Sequence, residues 1–272
     1  MSNNNESQDA ICEESFFGSL KAYLHEVLVS DYKTFVILIY AALALTLWKY
    51  IPLTPHFADA ETGQCVFSFG TKQLTRPLSG NIDYAIIDYL WNARKLWGAF
   101  LLMGLGPTLI VKYVFKESLA DYGLSSLSWK QSLRLSLCFI PIFLIIGWCS
   151  GYTRAYYAVY PFNPFAGISW ETLSAHSILY FFLYYLPWEF MFRGFMLIGL
   201  SRTLGIGPAV LIQVLASSML HYGHPLEETL GCIGGGILWA FFALRTKSIL
   251  AGWWQHALLG VALDWSLIIN AC

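Results

Sequence analysis

The sequence predicts an all-α protein, a polytopic bundle of about seven transmembrane helices. Hydrophobic residues make up 57% of the 272 residues and charged residues only 12%, whereas soluble domains carry about 25% charged residues. The charged residues crowd into short segments between apolar runs that are long enough to cross a bilayer. These apolar runs indicate that a lipid bilayer surrounds the chain. Because the net charge is −1, we expect no nucleic-acid partner.

The first part of the chain divides into two predicted regions. Residues 1–32 are interpreted as a polar tail and an amphipathic helix on the membrane surface, because apolar residues recur there at helical spacing. Residues 33–117 contain the first two spans, at 34–48 and 97–115. A long extramembrane loop rich in glycine and proline separates these spans. Residues 118–272 form the third predicted region.

Five further spans are predicted in this third region. The third span lies at 133–149, and an interfacial loop with two prolines follows it. The last four apolar runs come close together, so we expect them to form one compact four-helix core. Lysine and arginine in the short loops accumulate on one side of this arrangement, which places the N-terminus in the cytoplasm. The four runs lie at 174–200, 208–222, 229–244 and 249–269.

A carboxylate and a guanidinium stand four residues apart inside the fourth span. Glu189 and Arg193 share one helix face, where they can pair. A charge at this depth costs roughly 2.5–3.5 kcal/mol on insertion scales. The two residues therefore either fix helix packing as a buried ion pair or serve chemistry, and this segment alone leaves both alternatives open.

The fifth and seventh spans each carry polar residues spaced by four, which places them on one helix face. Hydrocarbon offers such residues no partners, so we expect them to converge with the fourth span on one hydrated cavity. They are Gln213, Ser217 and His221 on the fifth span, and His256, Gly260 and Asp264 on the seventh.

This combination of side chains suits hydrolysis of an amide by activated water. A carboxylate in apolar surroundings can take a proton from water and return it later, which makes Glu189 the candidate base. His221 can share in activating the water, and His256 can donate a hydrogen bond to an oxyanion. Arg193 completes the set as the charge partner of Glu189.

Other polar or small residues of the core are predicted to have structural roles. His176 and His224 lie near helix ends, where we expect interfacial positions. Glu227 and Glu228 precede the sixth span and are expected to be solvated, complementing the N-terminus of that helix. The glycines of the sixth span are expected to let a neighbouring helix approach closely; they are Gly231, Gly234, Gly235 and Gly236.

Three short motifs stand in order on the fourth, fifth and seventh spans. Residues 188–194 have the sequence Trp-Glu-Phe-Met-Phe-Arg-Gly, His221 follows on the next span, and His256 lies four residues before a glycine. These motifs resemble those of the CPBP family of intramembrane proteases, named for CAAX proteases and bacteriocin-processing enzymes and also called the ABI family. The family motifs are Glu-Glu-x-x-x-Arg, Phe-x-x-x-His and His-x-x-x-Asn. The resemblance covers roughly residues 118–270.

The resemblance implies a membrane endopeptidase with a four-helix catalytic core, in a bacterial-type plasma membrane, that cleaves a membrane-associated polypeptide. In the family, the first glutamate and the second-motif histidine activate water, and the third-motif histidine and asparagine hold the oxyanion. Here Trp188 and Gly260 occupy the positions of that glutamate and that asparagine. We therefore expect Glu189 to serve as base, and Asp264, one turn beyond Gly260, to supply the missing polar group.

Three alternatives remain beside an active protease. The residues at the Trp188 and Gly260 positions are compatible with a proteolytically inactive homologue that binds a membrane protein or peptide in the same cavity. Intramembrane charges also mark ion pathways, which would suit a transporter, although no internal repeat is evident. Glu189, His221 and His256 could ligate zinc with one open position. Because no His-Glu-x-x-His motif is present, we predict neither a metal nor a cofactor.

Overall fold

The computed structural model describes residues 31–51, 93–125 and 129–271, together with positions 18, 19, 21 and 90. All regular structure in this described part is helical, which confirms the predicted all-α fold. The predicted surface helix within residues 1–32 and most of the predicted 50–96 loop lie outside the described residues.

Seven long helices make up the described part, in agreement with the predicted bundle of about seven spans. Four of them, α1, α2, α3 and α6, are each long and apolar enough to cross a membrane, and α5 is a shorter apolar helix. The helices are α1 (Tyr32–Lys49), α2 (Arg94–Val114), α3 (Trp129–Ser150), α4 (170–204), α5 (Ile206–Leu220), α6 (Leu226–Thr246) and α7 (Leu250–Ala271).

The beginnings of three helices follow from local side-chain chemistry. The Asp31 carboxylate accepts a hydrogen bond from the backbone N–H of Thr34 and caps α1. At the start of α4, Ser169 and Thr172 each accept a hydrogen bond from the other's backbone N–H, which forms a capping box. The turn from α4 to α5 needs a positive φ of 81° at Gly205, a conformation that glycine adopts without steric cost.

Helix α4 is the central helix of the bundle, and its residues 187–197 are all buried. It widens into π-helical turns at Tyr180–Tyr185 and Phe190–Ile198, on either side of Pro187. Proline has no backbone N–H, so a locally altered hydrogen-bond ladder accommodates it. Helix α2 packs closely against Pro187: a Cβ atom on Gly104 of α2 would lie only 3.2 Å from the proline ring.

Helix α3 lies along α7, and two glycines make this close approach possible. A Cβ atom on Gly147 would overlap the backbone carbonyl of Leu259, and one on Gly151 would overlap the Ser266 hydroxyl. Ser266 in turn donates a hydrogen bond of 2.7 Å to the carbonyl of Trp148. These contacts fix α3 as the outer neighbour of α7.

A methyl group at Gly147 should therefore destabilise the protein. We expect Gly147→Ala to lower the free energy of unfolding by about 1–3 kcal/mol, because the backbones of α3 and α7 must separate to admit it. Thermal unfolding in detergent, followed by circular dichroism, measures the effect. Gly234→Ala on α6 is the matched control, since nothing lies within 4 Å of its added Cβ. An equal loss in both variants would contradict the proposed contact.

Candidate active site

The Glu189 carboxylate joins α4 to α7. Its Oε1 atom accepts a hydrogen bond of 2.8 Å from Nδ1 of His256 and lies 3.3 Å from Nη1 of Arg193. Its other oxygen, Oε2, faces α7, where a Cβ atom on Gly252 would lie 2.7 Å away. Glu189 and Arg193 are fully buried, so the predicted pair on α4 is a three-residue cluster that includes His256.

Trp239 of α6 fixes the orientation of two members of this cluster. Its ring stacks on the imidazole of His256, with centroids 4.3 Å apart and an interplanar angle of 25°. The guanidinium carbon of Arg193 lies 5.2 Å from the centroid of the same tryptophan, a cation–π distance. The indole N–H donates a hydrogen bond of 3.0 Å to Gln255 Oε1, which holds the ring in place.

His221, at the C-terminal end of α5, belongs to a second polar cluster. Its Nδ1 donates a hydrogen bond of 2.8 Å to the carbonyl of Ser217, and its Nε2 lies 3.7 Å from Oε1 of Glu228. The same Glu228 oxygen accepts hydrogen bonds of 2.6 Å from the Tyr160 hydroxyl and 3.0 Å from His224 Nδ1. His221 therefore lies beside the carboxylate of Glu228 on α6, whereas the Glu189 carboxylate is paired with His256.

The expectation of a solvated Glu228 is wrong. Its side chain is only 17% exposed, because Tyr160, from the connection between α3 and α4, covers the first turn of α6. Its Oε2 atom is buried and has no hydrogen-bond partner among the described residues. His224 is likewise held inside this cluster, with its side chain 12% exposed.

Trp188 lies next to both histidines. Its ring meets His221 edge-to-face with centroids 5.6 Å apart and meets His256 in the same way at 6.2 Å. The side chain is buried. At this position the resembled motif carries a glutamate, and the chain instead has an indole, which cannot accept a proton.

A cavity of about 460 Å³ connects the two clusters. Arg193, His221 and His256 contribute to its wall together with Glu228, whereas Glu189 lies behind His256 and does not line it. The rest of the wall is mainly apolar and aromatic, with contributions from α3, α6, α7 and the tyrosines of α4; it includes Phe139, Ile142, Ile146, Tyr184, Tyr185, Leu238, Leu259 and Leu263.

The glycines of α6 contribute more to this cavity than to helix packing. Gly231 and Gly235 line the cavity, and nothing lies within 4 Å of an added Cβ at Gly231 or Gly234. Only Gly236 among these glycines approaches a neighbouring helix, with its added Cβ 3.1 Å from Val214. The expected close packing therefore applies to Gly236. Gly231 and Gly234 leave open space, and an added Cβ at Gly235 would lie 3.3 Å from the Trp239 ring of the same helix.

Asp264 is placed away from the cavity wall. Its Oδ2 atom lies 2.8 Å from Nε2 of His176, and both side chains are buried. The expectation of an interfacial His176 is therefore wrong, because the fourth span begins earlier than predicted and carries this residue into the bundle. Asp264 shares a face of α7 with His256, as its spacing indicates, but it contacts α4 rather than the space between the two histidines.

Three residues near the site were not recognised in the sequence. Tyr160 lies in a connection whose position no periodic pattern could indicate. Glu228 follows His224 by four residues in the first turn of a helix, a spacing that signals their contact. Tyr185 precedes Glu189 by four residues and therefore shares its helix face. This spacing indicates that Tyr185 lies near the site.

Residues 170–262 match the family model described as type II CAAX prenyl endopeptidase Rce1-like. This segment is therefore similar to the CPBP family. The match confirms the resemblance over about a third of the chain, from α4 into α7, and includes Glu189, Arg193, His221 and His256. At the family level it supports a CAAX-type intramembrane protease. No curated protein and no solved structure matches the chain.

The Glu228 cluster predicts a stability difference between two adjacent glutamates at the start of α6. Glu228→Gln should lower the free energy of unfolding by about 1.5–3 kcal/mol, because two hydrogen bonds to a charged acceptor become weaker ones to a neutral amide. Glu227→Gln, at an exposed neighbouring position, should leave stability unchanged. Chemical unfolding in detergent at neutral pH compares them, and indistinguishable variants would contradict a structural role for the cluster.

Proposed function

We propose that this protein is a CPBP-type intramembrane endopeptidase that hydrolyses a peptide bond of a membrane-associated polypeptide with glutamate/histidine-activated water. The contact between Glu189 and His256, beside a cavity that also contains His221, is the observation that carries the proposal. In this proposal residues 118–272 form the protease domain, after the tail and surface helix at 1–32 and the first two spans at 33–117. The distribution of lysine and arginine supports a cytoplasmic N-terminus, and a bacterial-type plasma membrane is the proposed location.

Water activation in this proposal depends on Glu189 acting through His256. An ionised carboxylate only accepts hydrogen bonds, so Nδ1 of His256 carries the proton and Nε2 carries the lone pair. Nε2 can then accept a proton from water at the cavity, and Glu189 stabilises the imidazolium that forms. This arrangement gives the predicted base a role even though its own oxygens do not line the cavity.

His221 and Arg193 have supporting roles. Because Nδ1 of His221 donates to the Ser217 carbonyl, its Nε2 is also an acceptor, and it can hold the second hydrogen of the attacking water. Arg193 provides the positive charge that offsets Glu189 in an apolar interior, where an unpaired carboxylate would be costly. Four of the five predicted catalytic residues therefore have distinct tasks in this proposal, and the fifth, Asp264, does not line the cavity.

A proteolytically inactive homologue is the second candidate function, and Trp188 is the observation that favours it. The buried indole lies beside both histidines, at the position where the resembled motif has a proton-accepting carboxylate. In that case the cavity would bind a membrane protein or peptide without cleaving it. The zinc alternative finds less support, since no three His, Cys, Asp or Glu side chains in the described residues are arranged to hold a metal ion.

Cleavage should depend on the residues of both histidine clusters. We expect Glu189→Gln, His221→Ala and His256→Ala each to lower the rate of cleavage about 10²–10⁴-fold, the usual contribution of a positioned acid–base group. New peptide termini in membranes that contain each variant, scored by proteomics, identify the substrate. A prenylated CAAX peptide is the first defined substrate to assay with purified protein, since the matched family model describes a prenyl endopeptidase.

Glu171→Gln is the matched control for these variants. It makes the same chemical change at an exposed position of the same helix and should cleave like the wild type. If the wild type, Glu189→Gln and His221→Ala all produce identical termini while the proteins remain folded, the inactive-homologue function replaces the protease.

A further inference from the structure

We propose that Tyr185 is a further catalytic residue of this site, whose hydroxyl donates the hydrogen bond that stabilises the oxyanion formed during hydrolysis. The inference rests on the proposed function. It assigns a role to a side chain that lies outside the Glu189–Arg193 motif and contributes to the cavity wall.

The first step of the argument is that neutral His256 cannot be this donor. A neutral imidazole has one N–H, and the hydrogen bond from Nδ1 to Glu189 uses it. The other nitrogen is the acceptor for the proton of water. Once protonated, it must pass that proton to the departing amine. The oxyanion therefore needs a donor that does not exchange its proton during the reaction.

The second step concerns the space above Gly260, which the Tyr185 hydroxyl fills. A Cβ atom on Gly260 would overlap the hydroxyl oxygen and the neighbouring ring carbon of Tyr185, and a second ring carbon would lie 2.8 Å away. Gly260 follows His256 by one turn of α7, and both residues line the cavity with Tyr185. The Tyr185 ring centroid is 4.7 Å from that of His256. The phenol thus occupies the place where a side chain from α7 would otherwise project beside the reacting histidine.

The third step is that the phenol is held in position before substrate binds. Tyr185 is only 4% exposed, and its ring packs against Tyr180 with centroids 4.7 Å apart. Tyr180 in turn stacks on His176 at 4.9 Å, and His176 is bonded to Asp264. His176 and Asp264 therefore lie behind the Tyr180 ring that packs against Tyr185. Preorganised donors of this kind stabilise developing charge at no cost of rearrangement during the reaction.

The reaction with these roles is balanced in protons and electrons. Water loses a proton to Nε2 of His256 while its oxygen bonds to the carbonyl carbon, and the π electrons move to the carbonyl oxygen. Tyr185 donates a hydrogen bond to that anionic oxygen and keeps its own proton. When the carbon–oxygen double bond re-forms, the carbon–nitrogen bond breaks and the amine takes the proton from His256. The products are a carboxylic acid and an amine.

Removal of the hydroxyl alone tests the proposal. With the substrate identified as above, Tyr185→Phe should lower kcat about 10²–10³-fold, as the loss of one oxyanion donor does. KM should change little, because the hydrogen bond strengthens only as the oxyanion forms. Tyr157→Phe is the matched control, because it removes the hydroxyl of a buried tyrosine that does not line the cavity, and it should stay within a few-fold of wild type. Equal losses in both variants, or no loss in Tyr185→Phe, would overturn the assignment.

A reciprocal exchange makes the test specific to this geometry. Gly260→Asn alone should be inactive, because its side chain collides with the Tyr185 ring. Tyr185→Leu combined with Gly260→Asn places an amide donor where the phenol was, and it should cleave at least tenfold faster than Tyr185→Leu. A double variant that folds, as shown by its melting curve, and is no faster than Tyr185→Leu counts against the proposal.

Binding of a stable tetrahedral anion separates this inference from the proposed function. The probe is a farnesylated CAAX tetrapeptide whose first amide is replaced by a phosphinic group, compared with its uncleaved amide isostere. Wild type should prefer the phosphinic peptide, and Tyr185→Phe should lose about 10–100-fold of that preference while Tyr157→Phe keeps it. If wild type cleaves no substrate but shows this difference, only the proposed function fails. If it cleaves and the preference is unaltered, only the role of Tyr185 fails.

Discussion

The cost of placing the Glu189 carboxylate inside an apolar bundle is the constraint on which the rest of the site depends. A buried charge is tolerated only when charged and hydrogen-bonding partners surround it. Arg193 supplies the opposite charge from the same helix, and His256 supplies a hydrogen bond from α7. Since His256 is in turn stacked on Trp239 of α6, one carboxylate determines how three helices meet. The same contacts orient the imidazole toward the cavity.

Two stripes of residues run past each other where α4 meets α7. On α4, Tyr185, Glu189 and Arg193 are spaced by four, and on α7, Gly252, His256 and Gly260 are spaced by four. Gly252 leaves room for one carboxylate oxygen of Glu189, and Gly260 leaves room for the Tyr185 hydroxyl. The glycines therefore have a direct chemical purpose, because each makes space for a polar atom of the opposite helix. A methyl group at either position would push α4 away from His256.

The sequence predicted the helical bundle, the family and the set of intramembrane polar residues because each rests on a local pattern. Apolar length indicates a span, and a spacing of four places Glu189 with Arg193 on one face. The pairing of these residues across helices needs the register between helices, which no single helix encodes. For that reason Asp264 was correctly assigned to the His256 face, while its contact with His176 was not foreseen. The sequence predicts a solvated Glu228, because nothing near it in the chain indicates the hydrogen bond from Tyr160, which lies in a distant connection.

The departures from the family motifs at Trp188 and Gly260 become understandable together. An indole at 188 removes a proton acceptor from the neighbourhood of His221, and the next residue along α4 provides a carboxylate that bonds His256 instead. A glycine at 260 removes a donor from α7, and Tyr185 of α4 enters the vacated space. In both cases a side chain of α4 is in the position to replace the missing motif residue: Glu189 for the carboxylate and Tyr185 for the hydrogen-bond donor. The indole N–H at position 188 is buried without a hydrogen-bond partner among the described residues, whereas the space at Gly260 is filled by the Tyr185 hydroxyl beside His256. The complementarity at Gly260 is therefore the physical argument that supports the proposal of a chemical task for the cavity.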